Sequence, residues 1–133
     1  MNDKELRLKV LELLYRNDMQ GKKSPGAINE LEGLDLDEYH RASLWLIKHN
    51  LAEGHISKAG GYQAWANHVT RSGMDIIEKL IDTSVENVKE KKISFSSKAS
   101  SYVEQFLELV KIWASNPDLL NHAWENLTKL IGQ

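Results

Sequence analysis

The sequence predicts a mainly α-helical chain carrying one small β-hairpin, an α+β fold that ends in a helical hairpin. Three observations predict it. Apolar residues recur at helical spacing over most of the chain. Residues 51–70 break that spacing and set paired glycines between weakly alternating segments. Near the C-terminus, Asn116-Pro117 separates two amphipathic stretches.

The first helix is carried by Leu6, Val10, Leu13 and Leu14, one stripe at i, i+4, i+7 and i+8, with Asn2 and Glu5 at capping-box spacing. The polar run 17–23 predicts its stop near Asn17. Ser24-Pro25 then opens a short helix, with serine as cap and proline at the first helical position. Ile28 and Leu31 form its apolar face, and Gly33 ends it. Asp35, with Glu38 three residues on, starts a longer helix whose inner face is Tyr39, Ala42, Ser43, Leu46 and Ile47. It closes around Asn50, a residue that tolerates the left-handed cap conformation.

After Asn50 the texture turns to β. Leu51 to Ser57 alternates weakly, Ala59-Gly60-Gly61 is a turn signal, and Tyr62 to Thr70 holds aromatic and β-branched residues. Thr70 caps a further helix bearing Met74, Ile77, Leu80 or Ile81, Val85 and Val88. The order helix, short helix, helix, hairpin, helix is that of a winged helix-turn-helix, expected over residues 1–88. A polar connector over 89–101 follows, with Lys89, Lys91, Lys92 and five serines interrupted by Ile93 and Phe95. A C-terminal helical hairpin over 102–133 completes the chain.

The stretch Tyr39-His40-Arg41-Ala42-Ser43-Leu44-Trp45-Leu46-Ile47-Lys48-His49-Asn50-Leu51 resembles bacterial winged-helix proteins at the passage from third helix to wing. His68-Val69-Thr70-Arg71-Ser72-Gly73 resembles their Leu-Thr-x-x-Gly entry into the helix after the wing. Ile81-Asp82-Thr83-Ser84-Val85-Glu86-Asn87-Val88-Lys89 is similar to the tail of a phage- and prophage-associated family of this fold. The resemblance spans roughly residues 5 to 92 and implies a regulator of a prophage or mobile element. Two positions depart from it: Asn50 stands where that family has glycine, and Glu86 where it has tryptophan.

Composition narrows the function classes. With no cysteine among 133 residues, the chain has no disulfide, zinc–thiolate site or cysteine nucleophile. No apolar run spans a membrane, and Met1-Asn2-Asp3-Lys4-Glu5 is unlike a leader, so the expected location is cytoplasmic. The Asn126-Leu127-Thr128 sequon is then accidental. No cofactor or metal site is expected: the five histidines show no HxxxH or HExxH pairing, and His55 with His68 supplies two ligands at most. Gly21-Lys22-Lys23-Ser24 lacks phosphate-loop spacing, and no serine sits in a GxSxG turn. Glu104 and Glu108 share a face that reads as solvated, so no catalytic constellation emerges and an enzyme is not expected.

Double-stranded DNA is the expected partner. Arg41 is the candidate base reader on the third helix, beside His40. Lys22, Lys23, His55, Lys58 and Arg71 are candidate phosphate contacts. Two features weigh against DNA: the net charge of −2, and the carboxylates of Asp35, Asp37 and Glu38 in the first turn of that helix. They support the alternative of a protein-binding adaptor or inhibitor on the same scaffold. Trp45 lies beside the apolar face of its helix, where it covers the core edge or anchors a partner. Phe106, Val110, Trp113, Trp124 and Leu127 line the terminal helices as a candidate dimer interface, with a homodimer expected.

Overall fold

The computed structural model describes residues 1–23, 32–58, 63–96 and 101–132. Among them five helices accompany one two-stranded antiparallel sheet: α1 (Asp3–Met19), α2 (Leu36–Lys48), β1 (Ala52–Ser57), β2 (Gln63–Val69), α3 (Arg71–Glu90), α4 (Tyr102–Ser115) and α5 (Pro117–Ile131). The helix expected to open at Ser24-Pro25 and the turn at Ala59-Gly60-Gly61 lie outside the described residues. The chain divides into two compact units, Met1–Met74 and Asp75–Gln133, so the division falls inside α3 and ahead of residue 88. No described helix is long and apolar enough to cross a membrane.

In the first unit, α1 is buried on more than the one stripe its periodicity suggests. Leu6, Leu8, Val10, Leu11, Leu13, Leu14 and Tyr15 are all buried, as befits a helix packed against both α2 and β2. The Asn2 side chain accepts the Glu5 N–H at 2.8 Å. The helix runs on through Asn17 to Met19. It thus stops inside the polar run 17–23, whose Asp18 also serves β2 by accepting the Val69 N–H at 2.7 Å.

α2 begins with a complete capping box. Asp35 accepts the Glu38 N–H at 2.8 Å, and the Glu38 carboxylate accepts the Asp35 N–H at 3.1 Å. Tyr39, Ala42, Ser43 and Leu46 are its buried residues. It ends in a Schellman motif: Leu51 N–H donates to the Leu46 carbonyl at 3.0 Å and Asn50 N–H to Ile47 at 3.1 Å, with Asn50 left-handed at φ +58°. α1 ends the same way with Gly21 at φ +67°, and α3 with Lys92 at φ +56°.

The sheet register pairs Ala52 with Val69 and Ser57 with Gln63, broken by a bulge between Glu53 and Gly54. Gly54 has no room for a side chain, since a Cβ there would fall on the Trp65 carbonyl. Where β2 leaves the sheet, the Thr70 hydroxyl donates to the Asn50 carbonyl at 2.7 Å and accepts the Gly73 N–H at 2.9 Å. One side chain thereby ties the end of α2 to the start of α3.

In the second unit, Phe106, Leu109 and Trp113 of α4 and Leu119, Leu120, Ala123 and Leu127 of α5 are buried where the two helices pack. Phe106 meets Trp113 edge-on at 6.3 Å. Asn116 does not cap α5. Its amide donates back to the Ile112 carbonyl at 3.0 Å, and proline alone opens the helix. Glu108 is not on a merely solvated face, because its carboxylate accepts the Ser96 N–H at 2.8 Å and hydroxyl at 2.7 Å. With Ile93 and Phe95 half-buried, the connector is tacked down at this point.

Candidate nucleic-acid interface

α2 is held against the hairpin by two consecutive side chains. The Tyr39 hydroxyl donates to the Ala66 carbonyl, and the His40 Nδ1–H donates to the Ala64 carbonyl at 2.7 Å. The two rings flank Trp65, with His40 edge-on at 4.7 Å and Tyr39 tilted at 5.7 Å. Burial pushes the Tyr39 hydroxyl up to about 12, so it stays a donor at neutral pH. His40 is therefore a structural pin for β2. Its ring faces the hairpin, which corrects its assignment as an outward DNA contact.

Arg41 is exposed and already engaged. Its Nη1 donates to Asp37 one turn back at 2.7 Å, and its Nη2 stands 4.0 Å from Asp3. Further along α2, Trp45 is half-buried under the Arg7 guanidinium, 4.8 Å from the ring centre, and stacks on His49 at 4.0 Å. Trp45 is thus engaged by one cationic and one aromatic group.

The remaining candidates are surface groups. Lys22 and Lys23 follow α1, His55 is exposed on β1 opposite Trp65, Lys58 follows β1, and Arg71 opens α3. Lys58 and Arg71 stand at opposite ends of the hairpin, roughly 20 Å apart at about 3.3 Å per residue. Lys48, in the last turn of α2, is a further exposed cation that sequence reasoning passed over. Its position in the last turn of the third predicted helix was signal enough.

The first unit contains ten basic and ten acidic residues, but the two signs are used differently. Glu12 and Glu32 bind Arg16, at 2.8 Å and 2.7 Å. Asp18 binds the Val69 N–H and the His68 ring, each at 2.7 Å. Asp35 and Glu38 are spent in the capping box, and Asp37 on Arg41. Among the described residues, Lys22, Lys23, Lys48, Lys58 and Arg71 form no ion pair. Most of the described carboxylates are thus hydrogen-bonded or ion-paired, although they keep their charge, and Asp3, Asp35, Asp37 and Glu53 are exposed, as the five cations are.

The second unit offers less. Phe106, Trp113 and Leu127 are buried within the chain, which removes them from the candidate dimer interface, while Val110 and Trp124 are half-buried. A groove of about 510 Å³ lies between Asn87, Glu90, Lys91, Asn116, Asp118 and His122, with charges of both signs and no convergent catalytic pair. No group of three or more potential metal ligands occurs among the described residues. Comparison with known proteins finds no matching family model, no matching curated protein and no matching solved structure.

Proposed function

We propose that the chain is a winged helix-turn-helix protein that binds double-stranded DNA as a transcriptional regulator, of the phage-associated kind its sequence resembles. The observation that carries this reading is the set of five exposed cations in the first unit, Lys22, Lys23, Lys48, Lys58 and Arg71, which form no ion pair among the described residues. A polyanion is the partner such a surface fits. Contacts from Lys22, Lys23, Lys48, Lys58 and Arg71 go to phosphates and position the protein on the duplex. α2 lies in the major groove and the hairpin serves as the wing. Two such helices one DNA turn apart need a two-fold dimer, for which Val110 and Trp124 supply the half-exposed apolar groups.

Fluorescence anisotropy with duplex DNA over a salt series tests the proposal. Five phosphate contacts give a slope of log K against log salt of about −4 to −5. Replacing Lys22 and Lys23 by glutamate makes the slope shallower and weakens binding. Low-salt affinity equal to that of a charge-matched control protein would remove the reading.

A protein-binding adaptor is the second reading, favoured by one observation. Leu36, the first residue of α2, is 52% exposed beside Asp37, whose side chain is 80% exposed. Such an apolar tip ringed by carboxylates fits a basic protein surface. On this reading duplex binding fails at low salt, and a photocrosslinker at position 36 captures a protein in cells that express the chain.

A further inference from the structure

If phosphate contacts hold the protein on DNA, something else must tell one base pair from another, and the following rests on that reading. Asp37 and Arg41 lie one helical turn apart near the start of α2, both open to solvent, joined by the 2.7 Å bond from Nη1 to Oδ2. A guanidinium has five N–H groups, and Asp37 takes one. Asp3, at 4.0 Å from Nη2, is too far for a hydrogen bond and leaves the remaining donors available. His40, the residue before Arg41, is turned toward the Ala64 carbonyl, so Arg41 alone of these two projects from the helix.

We infer that Asp37 is a positioning residue for Arg41, and that the pair reads a guanine in the major groove. Arg41 donates in bidentate fashion to guanine O6 and N7, the acceptor pair that matches its fork. Asp37 holds the fork at one angle, so less side-chain freedom is lost when it docks. The same carboxylate repels phosphates and acceptor-rich base edges. Complexes in which Arg41 has no guanine are thus weakened more than those in which it has one. The acidic first turn of α2 then works as a filter, even though it costs affinity.

The test is selection from a randomised duplex library at one fixed salt concentration, followed by anisotropy on the selected and random duplexes. The full chain is used as wild type, Asp37→Asn, Asp37→Glu, Arg41→Ala and Arg41→Lys. The wild type is expected to select a site with one fixed guanine. Arg41→Ala and Arg41→Lys are each expected to lose about tenfold in preference for it over the other bases. Asp37→Asn is expected to bind random duplex as tightly as wild type or more so, while losing that preference. Asp37→Glu, which can still reach Arg41, is expected to restore most of it. Both positions are exposed, so thermal melts of the variants should overlay the wild type. The inference is overturned if the wild type binds random DNA with the expected salt slope yet selects no guanine that responds to these variants. A wild type with no salt-dependent binding fails the DNA reading itself, a different outcome.

Discussion

The carboxylate of Asp18, in the last turn of α1, accepts the backbone N–H of Val69, the last residue of β2, at 2.7 Å. Its side chain is 14% exposed, and its other oxygen takes the His68 ring at the same distance. A charged acceptor thus satisfies a backbone donor of β2 that points away from β1. Asp18→Ala is expected to cost about 1.5–3 kcal/mol in urea unfolding, because the N–H loses a charge-assisted bond. His68→Ala should cost less than about 1 kcal/mol, since that side chain is 58% exposed.

Arg16 sits between Glu12, which is 2% exposed, and Glu32, and the two carboxylates hold its guanidinium protonated far above neutral pH. The same pairing lowers the Glu32 carboxyl below its ordinary value of 4.5, chiefly through the Arg16 hydrogen bond. A carboxyl lowered in the folded state stabilises above the unfolded value and loses that contribution as pH falls through the folded one. Wild type should therefore exceed Glu32→Gln in stability at pH 7, by no more than about 1 kcal/mol because Glu32 is 41% exposed. The two should converge as the pH drops below 4.5. Arg16→Ala takes the cation from beside a buried carboxylate and should cost about 3–5 kcal/mol. Unfolding midpoints at pH 7 and pH 3 check all three.

Lys92 occupies the left-handed position that closes α3, at φ +56°, where a Cβ is unfavourable. Lys92→Gly should raise stability by about 0.5–1 kcal/mol, seen as a higher melting temperature. Asn50→Gly at the equivalent position of α2 should gain less. Asparagine already tolerates that conformation, and its amide donates to the Ser72 hydroxyl at 3.4 Å.

Gly54 and Gly73 should resist substitution by alanine for reasons of space. A Cβ at Gly54 would fall on the Trp65 carbonyl, and one at Gly73 on the Leu51 carbonyl, backbone atoms that yield only if the chain moves. Each alanine variant should lose about 2 kcal/mol or more in denaturant unfolding. Circular dichroism should report a preserved helix content if only the bulge at Gly54 is disturbed.

Local signals were legible and distant ones were not. The capping box of Asp35 and Glu38, the left-handed Asn50 and the cap at Thr70 each rest on neighbours a few residues away, so spacing alone exposes them. Asp18 read as loop and Glu108 as solvated because their partners, Val69 and Ser96, lie 51 and 12 positions away. Nothing in a periodicity records a bond of that kind. The same holds for His40, whose partner in β2 is 24 positions on. Asp37 and Arg41 are the instructive case: an acid and a base at i and i+4 on a helix are expected to pair, and that spacing was visible throughout.

The bonds from Tyr39 and His40 have an effect beyond holding a helix in place. Acceptors two residues apart on a strand, such as Ala64 and Ala66, point along the same margin of the ribbon. A two-stranded ribbon left bare there is a template on which another polypeptide can zip, and chains with such margins polymerise. Here the phenol and the imidazole occupy those acceptors, so β2 is closed to recruits along that stretch. Substituting both residues by phenylalanine would keep the bulk and unmask the template.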